Sequence, residues 1–173
     1  MERKGIVTLK SRPVTLIGQA LEKGNKVPDF VVLDKDLKEV ALKDFPGKAK
    51  LISVAVSLDT PVCDRQARKF NEEAAQLPDE VAIMNITMDL PFAIGRFCST
   101  AGIDKIKTLS DYRDASFGMG FGVLIKELRL LARAIFLVDR DNILRYSEIV
   151  PEVTGQVNFE KALSETRSLL AKT

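Results

Sequence analysis

The sequence predicts an α/β fold: a mixed central sheet flanked by helices, with a β-hairpin at the N-terminus. Three observations carry this. Short apolar runs rich in β-branched residues alternate with stretches whose apolar positions recur at spacings of three and four, the signatures of buried strands and amphipathic helices. One strand–helix–strand unit, over residues 51–88, needs a right-handed crossover and therefore parallel strands. Residues 132–138 and 143–150 are separated only by Asp139-Arg140-Asp141-Asn142, a turn so short that the pair must be antiparallel.

At the N-terminus, Ile6, Thr8, Ser11 and residues 14–18 alternate weakly around Arg12-Pro13, which predicts a short hairpin laid on the main domain. Gly24-Asn25-Lys26 reads as a loop, residues 28–33 as a strand, Asp34-Lys35-Asp36 as a turn and residues 39–42 as the next strand. Residues 51–56 form an apolar, β-branched run, expected as a buried strand. From 63 to 77, Ala67, Phe70, Ala74 and Leu77 mark one face of a helix. Residues 81–88 are a second buried strand, with Met84 and Met88 in the core. Residues 92–98 are a short helix, with Pro91 near its start and Gly102 beyond its end. A short strand at 106–109 and a short helix at 115–121 follow. The antiparallel pair and a closing helix at 159–170 complete a thioredoxin-like layout, in one domain spanning residues 1–173.

Composition narrows the chemistry. The 26 basic and 24 acidic residues are interspersed, so the net charge of +2 makes no case for nucleic acid or an anionic membrane. The charged residues at 1–4 lead into no apolar signal core, and no run approaches the roughly 18 residues of a membrane span. A soluble cytoplasmic protein is expected. There is no histidine, which excludes Ser-His and Cys-His pairs and His-ligated metal sites. Two cysteines are too few for a zinc or iron–sulfur site within one chain, so no metal or cofactor is expected. They are either a pair of inert core thiols or a reactive pair, and their surroundings distinguish the two.

Cys63 lies where a buried strand gives way to a helix. Thr60-Pro61-Val62-Cys63 reads as N-cap, N1, N2 and N3, with threonine a good cap and proline suited to N1. A thiol there faces free backbone N–H groups and the positive end of the helix dipole, both of which favour thiolate. An ordinary thiol is only about 3% thiolate at pH 7. Making it mostly anionic takes about 3 kcal/mol of preference for the charged form. A helix N-terminus supplies ~0.3–2 kcal/mol, so a second positive group is required. Without histidine it must be arginine or lysine.

Arg133 is the best candidate, since it interrupts the apolar stretch 130–138 and a buried charge needs an anionic partner. A strand-edge arginine facing water is the alternative. Arg68 and Lys69 read as a solvated helix face, and Arg65 is too close in sequence to fold back on Cys63. Cys98 ends the short helix at 92–98. It is either a small core residue or, as the second of two cysteines, the intrachain thiol that resolves an oxidised Cys63.

The motif Ser57-Leu58-Asp59-Thr60-Pro61-Val62-Cys63, followed by Arg68-Lys69-Phe70-Asn71-Glu72, resembles the active-site loop and helix of the bacterial thiol peroxidases. These are the atypical two-cysteine branch of the peroxiredoxins. Asp89-Leu90-Pro91-Phe92-Ala93 with Arg96-Phe97-Cys98 resembles that family's resolving-cysteine helix, and Leu131-Ala132-Arg133-Ala134 its arginine-bearing strand. The similarity runs through nearly the whole chain, hairpin included. It implies Cys63 as peroxidatic nucleophile, Cys98 as resolving thiol in an intrachain disulfide, Thr60 as hydroxyl partner of thiolate and peroxide, and Arg133 as the positive group. It also implies hydrogen peroxide and organic hydroperoxides as substrates, thioredoxin as reductant and a homodimer.

One position departs from the pattern. The family carries proline seven residues before the nucleophile, and here that residue is Val56. Proline there shapes the peroxide pocket, so valine predicts a slowed peroxidase or a redox sensor without sustained turnover. An α/β domain with inert cysteines is the third reading. Gly118-Met119-Gly120-Phe121-Gly122 lacks the spacing and preceding strand of a phosphate loop. Asp34–Asp36 and Asp139–Asn142 lack a calcium-loop continuation and are turns.

Overall fold

The computed structural model describes residues 1–172. The elements in chain order are β1 (Glu2–Leu9), β2 (Arg12–Ile17), β3 (Val31–Leu33), β4 (Glu39–Ala41), β5 (Ala49–Val54), α1 (Pro61–Ala74), β6 (Val81–Thr87), α2 (Pro91–Ala101) and β7 (Lys107–Ser110). Then come α3 (Ser116–Gly120), β8 (Leu124–Ile125), β9 (Leu130–Leu131), β10 (Ala134–Val138), β11 (Leu144–Ile149) and α4 (Phe159–Ala171).

Seven strands form the central sheet in the order β11-β10-β5-β6-β7-β3-β4. β5, β6 and β7 run parallel, as the crossovers through α1 and α2 require. β10 is antiparallel to both β5 and β11, as the short turn between β10 and β11 dictates. All six residues of β5 are buried, so the strand shows no inside-outside alternation; its two polar residues are satisfied, Lys50 by donating to Asn142 Oδ1 and Asp139 O and Ser53 by accepting from Gln66. On one face, Leu51, Ile83, Ile135 and Leu137 pack beneath Phe70 of α1 and Ala162 and Leu163 of α4. On the other, Ile52, Met84, Ile86 and Phe136 meet Phe117 and Phe121. Those two rings stack at 4.4 Å and both present faces or edges to Phe136.

The N-terminal hairpin exists but is longer than its weak alternation predicts, and it joins a second sheet in the order β1-β2-β8-β9. The β8–β9 pair gives no sequence signal because each strand has two residues, too few for a period. Gly18 ends β2 at φ +104°, and a Cβ there would lie 2.0 Å from the Met119 carbonyl oxygen. Only glycine lets the hairpin approach α3 so closely.

Several expected boundaries shift. The strand expected at 28–33 begins at Val31, and the one at 51–56 occupies Ala49–Val54. The strand expected over 132–138 begins at Ala134, so Arg133 is not a strand residue. Ala132 and Arg133 form a two-residue break where the chain leaves the small sheet at β9 for the large one at β10. Their backbones remain bonded: Ala132 N donates to Val123 O, and Arg133 O accepts from Val150 N. No described helix is long and apolar enough to cross a membrane.

Candidate active site

The start of α1 has the geometry its sequence predicts. Thr60 is extended at φ −100°, ψ 141°, and its hydroxyl oxygen accepts a long 3.4 Å hydrogen bond from Cys63 N. The same hydroxyl donates to Ser57 O at 3.0 Å. Cys63 is thus the third helical residue, in the turn where backbone N–H groups lack carbonyl partners. It is fully buried and belongs to the same apolar cluster as Ala55 and Val56. Val56 lies two residues beyond the end of β5, where the chain turns into the loop that carries Thr60.

Asp89, two residues before α2, fixes that loop. Its carboxylate accepts from Ser57 Oγ at 2.8 Å and from Leu58 N at 2.7 Å. The loop before Cys63 and the helix carrying Cys98 are therefore joined through one side chain.

Arg133 is 2% exposed. Its Nη1 donates to Gln66 Oε1 at 2.8 Å and its Nε to Val153 O at 3.2 Å. Gln66 is equally buried, and its amide nitrogen donates to Ser53 Oγ and to Val54 O. Residues three apart share a helix face, so Gln66 holds the guanidinium one turn from Cys63. No carboxylate pairs with Arg133 among the described residues, and both of its fixed partners are neutral. A buried cation in that state favours a nearby anion, which a thiolate at the head of α1 would supply.

The loop that receives Arg133 Nε is itself clamped by the N-terminal hairpin. Thr8 N donates to Pro151 O at 2.7 Å, and Val153 N to Thr8 O at 2.9 Å. The Glu152 carboxylate accepts from Thr8 Oγ1, Lys10 N and Ser11 N at 2.7, 2.9 and 3.1 Å. These bonds, led by the Thr8 hydroxyl, hold the Glu152 carboxyl down at about 2. Lys10 and Ser11, at φ 50° and 64°, keep a tight left-handed turn whose amides point at Glu152.

Cys98 is half-buried on α2 and packs with Leu58, Ala67 and Ile94 between the two helices. Burial pushes its thiol up, and the neighbouring Thr108 hydroxyl and Lys35 ammonium offset part of that. Cys98 also lines an open groove with Lys35, Phe92, Arg96 and Ser99. Both cysteines are free thiols.

Thr60 and Cys63 thus stand in the first turn of α1, Arg133 is bonded to Gln66 on the next turn of the same helix, and Cys98 lies across the α1–α2 contact. Arg68 pairs with Asp64 and Lys69 with Glu73, and Arg65 is exposed, so none of the three serves Cys63. Gln66, Ser53 and Asp89 were not found by sequence reasoning. Gln66 did leave a signal, a polar residue beside Ala67 on the apolar face of α1.

Residues 22–164 match the Redoxin family model. The chain is 51% identical over 164 residues to the thiol peroxidase of Bacillus subtilis, covering 95% of this chain and 98% of that one. Among solved structures, a peroxiredoxin-like protein from Aquifex aeolicus superposes with a TM-score of 0.89 at 36% identity, over 96% of this chain and 97% of that one. A thiol peroxidase from Chromobacterium violaceum gives 0.83 at 25% identity, over 96% and 98%.

Proposed function

This chain belongs to the Redoxin family as a peroxiredoxin-type peroxidase, and from that premise we propose that it reduces hydrogen peroxide and organic hydroperoxides through Cys63. The observation that carries the reading is a buried helix-start thiol on the same helix as Gln66, which holds a buried arginine whose fixed partners are all neutral. The Cys63 thiolate attacks one peroxide oxygen. The O–O bond breaks, the sulfur becomes sulfenic acid, and the other oxygen leaves as alcohol or water. The Thr60 hydroxyl and the Arg133 guanidinium orient the peroxide and stabilise the oxygen on which charge develops. Cys98 then attacks the sulfenic acid, forming an intrachain disulfide and releasing water.

Thioredoxin is the reductant in this scheme. The working form is a homodimer in the cytoplasm, a compartment that keeps thiols reduced. The test is consumption of peroxide coupled to thioredoxin and its reductase. Sustained turnover that Cys63→Ser abolishes supports the reading. A single oxidation without turnover makes the protein a sensor, the alternative that Val56 keeps open. No reaction at all makes the cysteines inert.

A further inference from the structure

The helix that carries Cys98 is weakly held. Of its eleven residues only Pro91 and Ile94 are buried, Phe92 is 69% exposed, and Leu90 provides no side-chain cap. Gly95 sits in its interior, where glycine disfavours helix.

The sheet beneath this layer carries a polar row. Ser53 of β5, Asn85 of β6 and Thr108 of β7 are neighbours in register. Asn85 stands two residues after Ile83 on β6 and so shares its face, the α1 and α2 side. Ser53 accepts from Gln66, so its position is satisfied. Asn85 is completely buried, and neither its Nδ2 nor its Oδ1 has a hydrogen-bond partner. Thr108 Oγ1 is likewise buried without one. It lies close enough to Cys98 to favour that thiolate, yet the two make no formed hydrogen bond. A buried amide unmet at both ends disfavours the closed fold, and water meets both ends once the cover lifts.

We propose that Asn85, seconded by Thr108, acts as a release for α2: it destabilises the closed helix so that Cys98 unwinds and reaches Cys63 soon after oxidation. This rests on the resolving role given to Cys98 above. A disulfide needs Cα atoms within about 7 Å, which two thiols in intact neighbouring helices do not readily satisfy. In the step concerned, Cys98 sulfur attacks the sulfur of Cys63 sulfenic acid. The S–S bond forms as S–O breaks, and the hydroxyl leaves as water with the Cys98 proton. No electrons enter until the disulfide is reduced.

The test compares the wild type with Asn85→Leu, Thr108→Val and Gly95→Ala. The first two replace orphaned polar atoms with apolar ones of similar shape. Gly95→Ala strengthens α2 without touching the row, since an added Cβ would meet only Lys35 Cβ at 3.7 Å. Stopped-flow kinetics follow sulfenic acid and disulfide formation separately, and amide exchange reports opening of residues 91–101. Asn85→Leu is expected to leave the first oxidation unchanged and slow disulfide closure about tenfold. Exchange in α2 should slow, and Cys63 should overoxidise at lower peroxide. If Gly95→Ala slows closure while folded Asn85→Leu and Thr108→Val do not, α2 opens but the polar row is not its release, and the proposal is wrong. If Asn85→Leu does not fold, amide exchange in Thr108→Val decides: slower opening of residues 91–101 supports the release and unchanged opening overturns it, because closure kinetics in that variant also register the lost effect of the hydroxyl on the Cys98 thiol. Wild type that never forms the Cys63–Cys98 bond would overturn the resolving scheme itself.

Discussion

Arg133 donates to Gln66 Oε1 at 2.8 Å, and Gln66 stands three residues after Cys63 on the same helix. The cation is therefore placed by an amide whose other end is fixed on β5, through Ser53 and Val54. Gln66→Met keeps the volume and removes the acceptor. It should slow oxidation of Cys63 by hydrogen peroxide about tenfold, a loss of ~1.4 kcal/mol in the transition state. Gln66→Glu keeps the acceptor but pairs the arginine with a full negative charge, and it too should slow the reaction. Stopped-flow rates on the reduced proteins check both. Wild-type rates in both variants would mean that Gln66 does not position Arg133 for the reaction.

Asp89 binds the loop that presents Thr60. Asp89→Ala leaves the Ser57 hydroxyl and the Leu58 amide without their acceptor, so the protein should lose ~1–3 kcal/mol of stability. The oxidation rate should fall as well, because Thr60 takes its position from Ser57 O. Asp89→Asn retains one acceptor oxygen and should recover part of both. Urea denaturation and peroxide kinetics measure the two effects separately. A loss of stability without loss of rate would confine Asp89 to a structural role.

Glu152 makes the hairpin clamp sensitive to acid. Its folded value of about 2 lies below the ordinary glutamate value. Its stabilising contribution is therefore fully present above about pH 4.3, the unfolded value, and is lost as pH falls towards 2. Amide exchange at Lys10 and Ser11 should rise across that window, and Glu152→Gln should raise it already at neutral pH. Because the next residue, Val153, accepts from Arg133, Glu152→Gln should also slow Cys63 oxidation modestly, by about twofold. Unchanged exchange at both amides in the variant would remove the clamp.

Val56 tests the departure from the family pattern. The valine lies beyond β5 and its N–H makes no hydrogen bond among the described residues, so proline there would break none. Val56→Pro should speed the first oxidation by stiffening the entry to the Thr60 loop, and tenfold would correspond to ~1.4 kcal/mol. The comparison is stopped-flow oxidation of both proteins at one pH. An unchanged or lower rate in a folded variant would make valine an equally good solution.

The architecture was legible wherever the period was long enough. The strand–helix–strand unit, the antiparallel pair and the Thr60-Pro61 cap are all present as expected, with strand and helix ends displaced by up to three residues. The β8–β9 pair was not legible, because two-residue strands carry no period. Arg133 was found as a charge in an apolar stretch, but its placement in the break between β9 and β10 depends on a change of sheet that no local pattern encodes. Ser53 and Asp89 were missed for a related reason. Each gains its role from a partner 13 or 32 residues away, Gln66 and Ser57 respectively, and only the folded chain brings them together.

Gln66 and Arg133 are separated by 67 residues of chain, and Val153 lies 20 farther on. At ~5–20 residues per second, a ribosome delivers the helix of Cys63 several seconds before the arginine that faces it. Cys98, at an earlier position than Arg133, is already made when the charge arrives. In the proposed cycle, the order of synthesis thus puts the resolving thiol in the chain before the arginine that completes the site of Cys63.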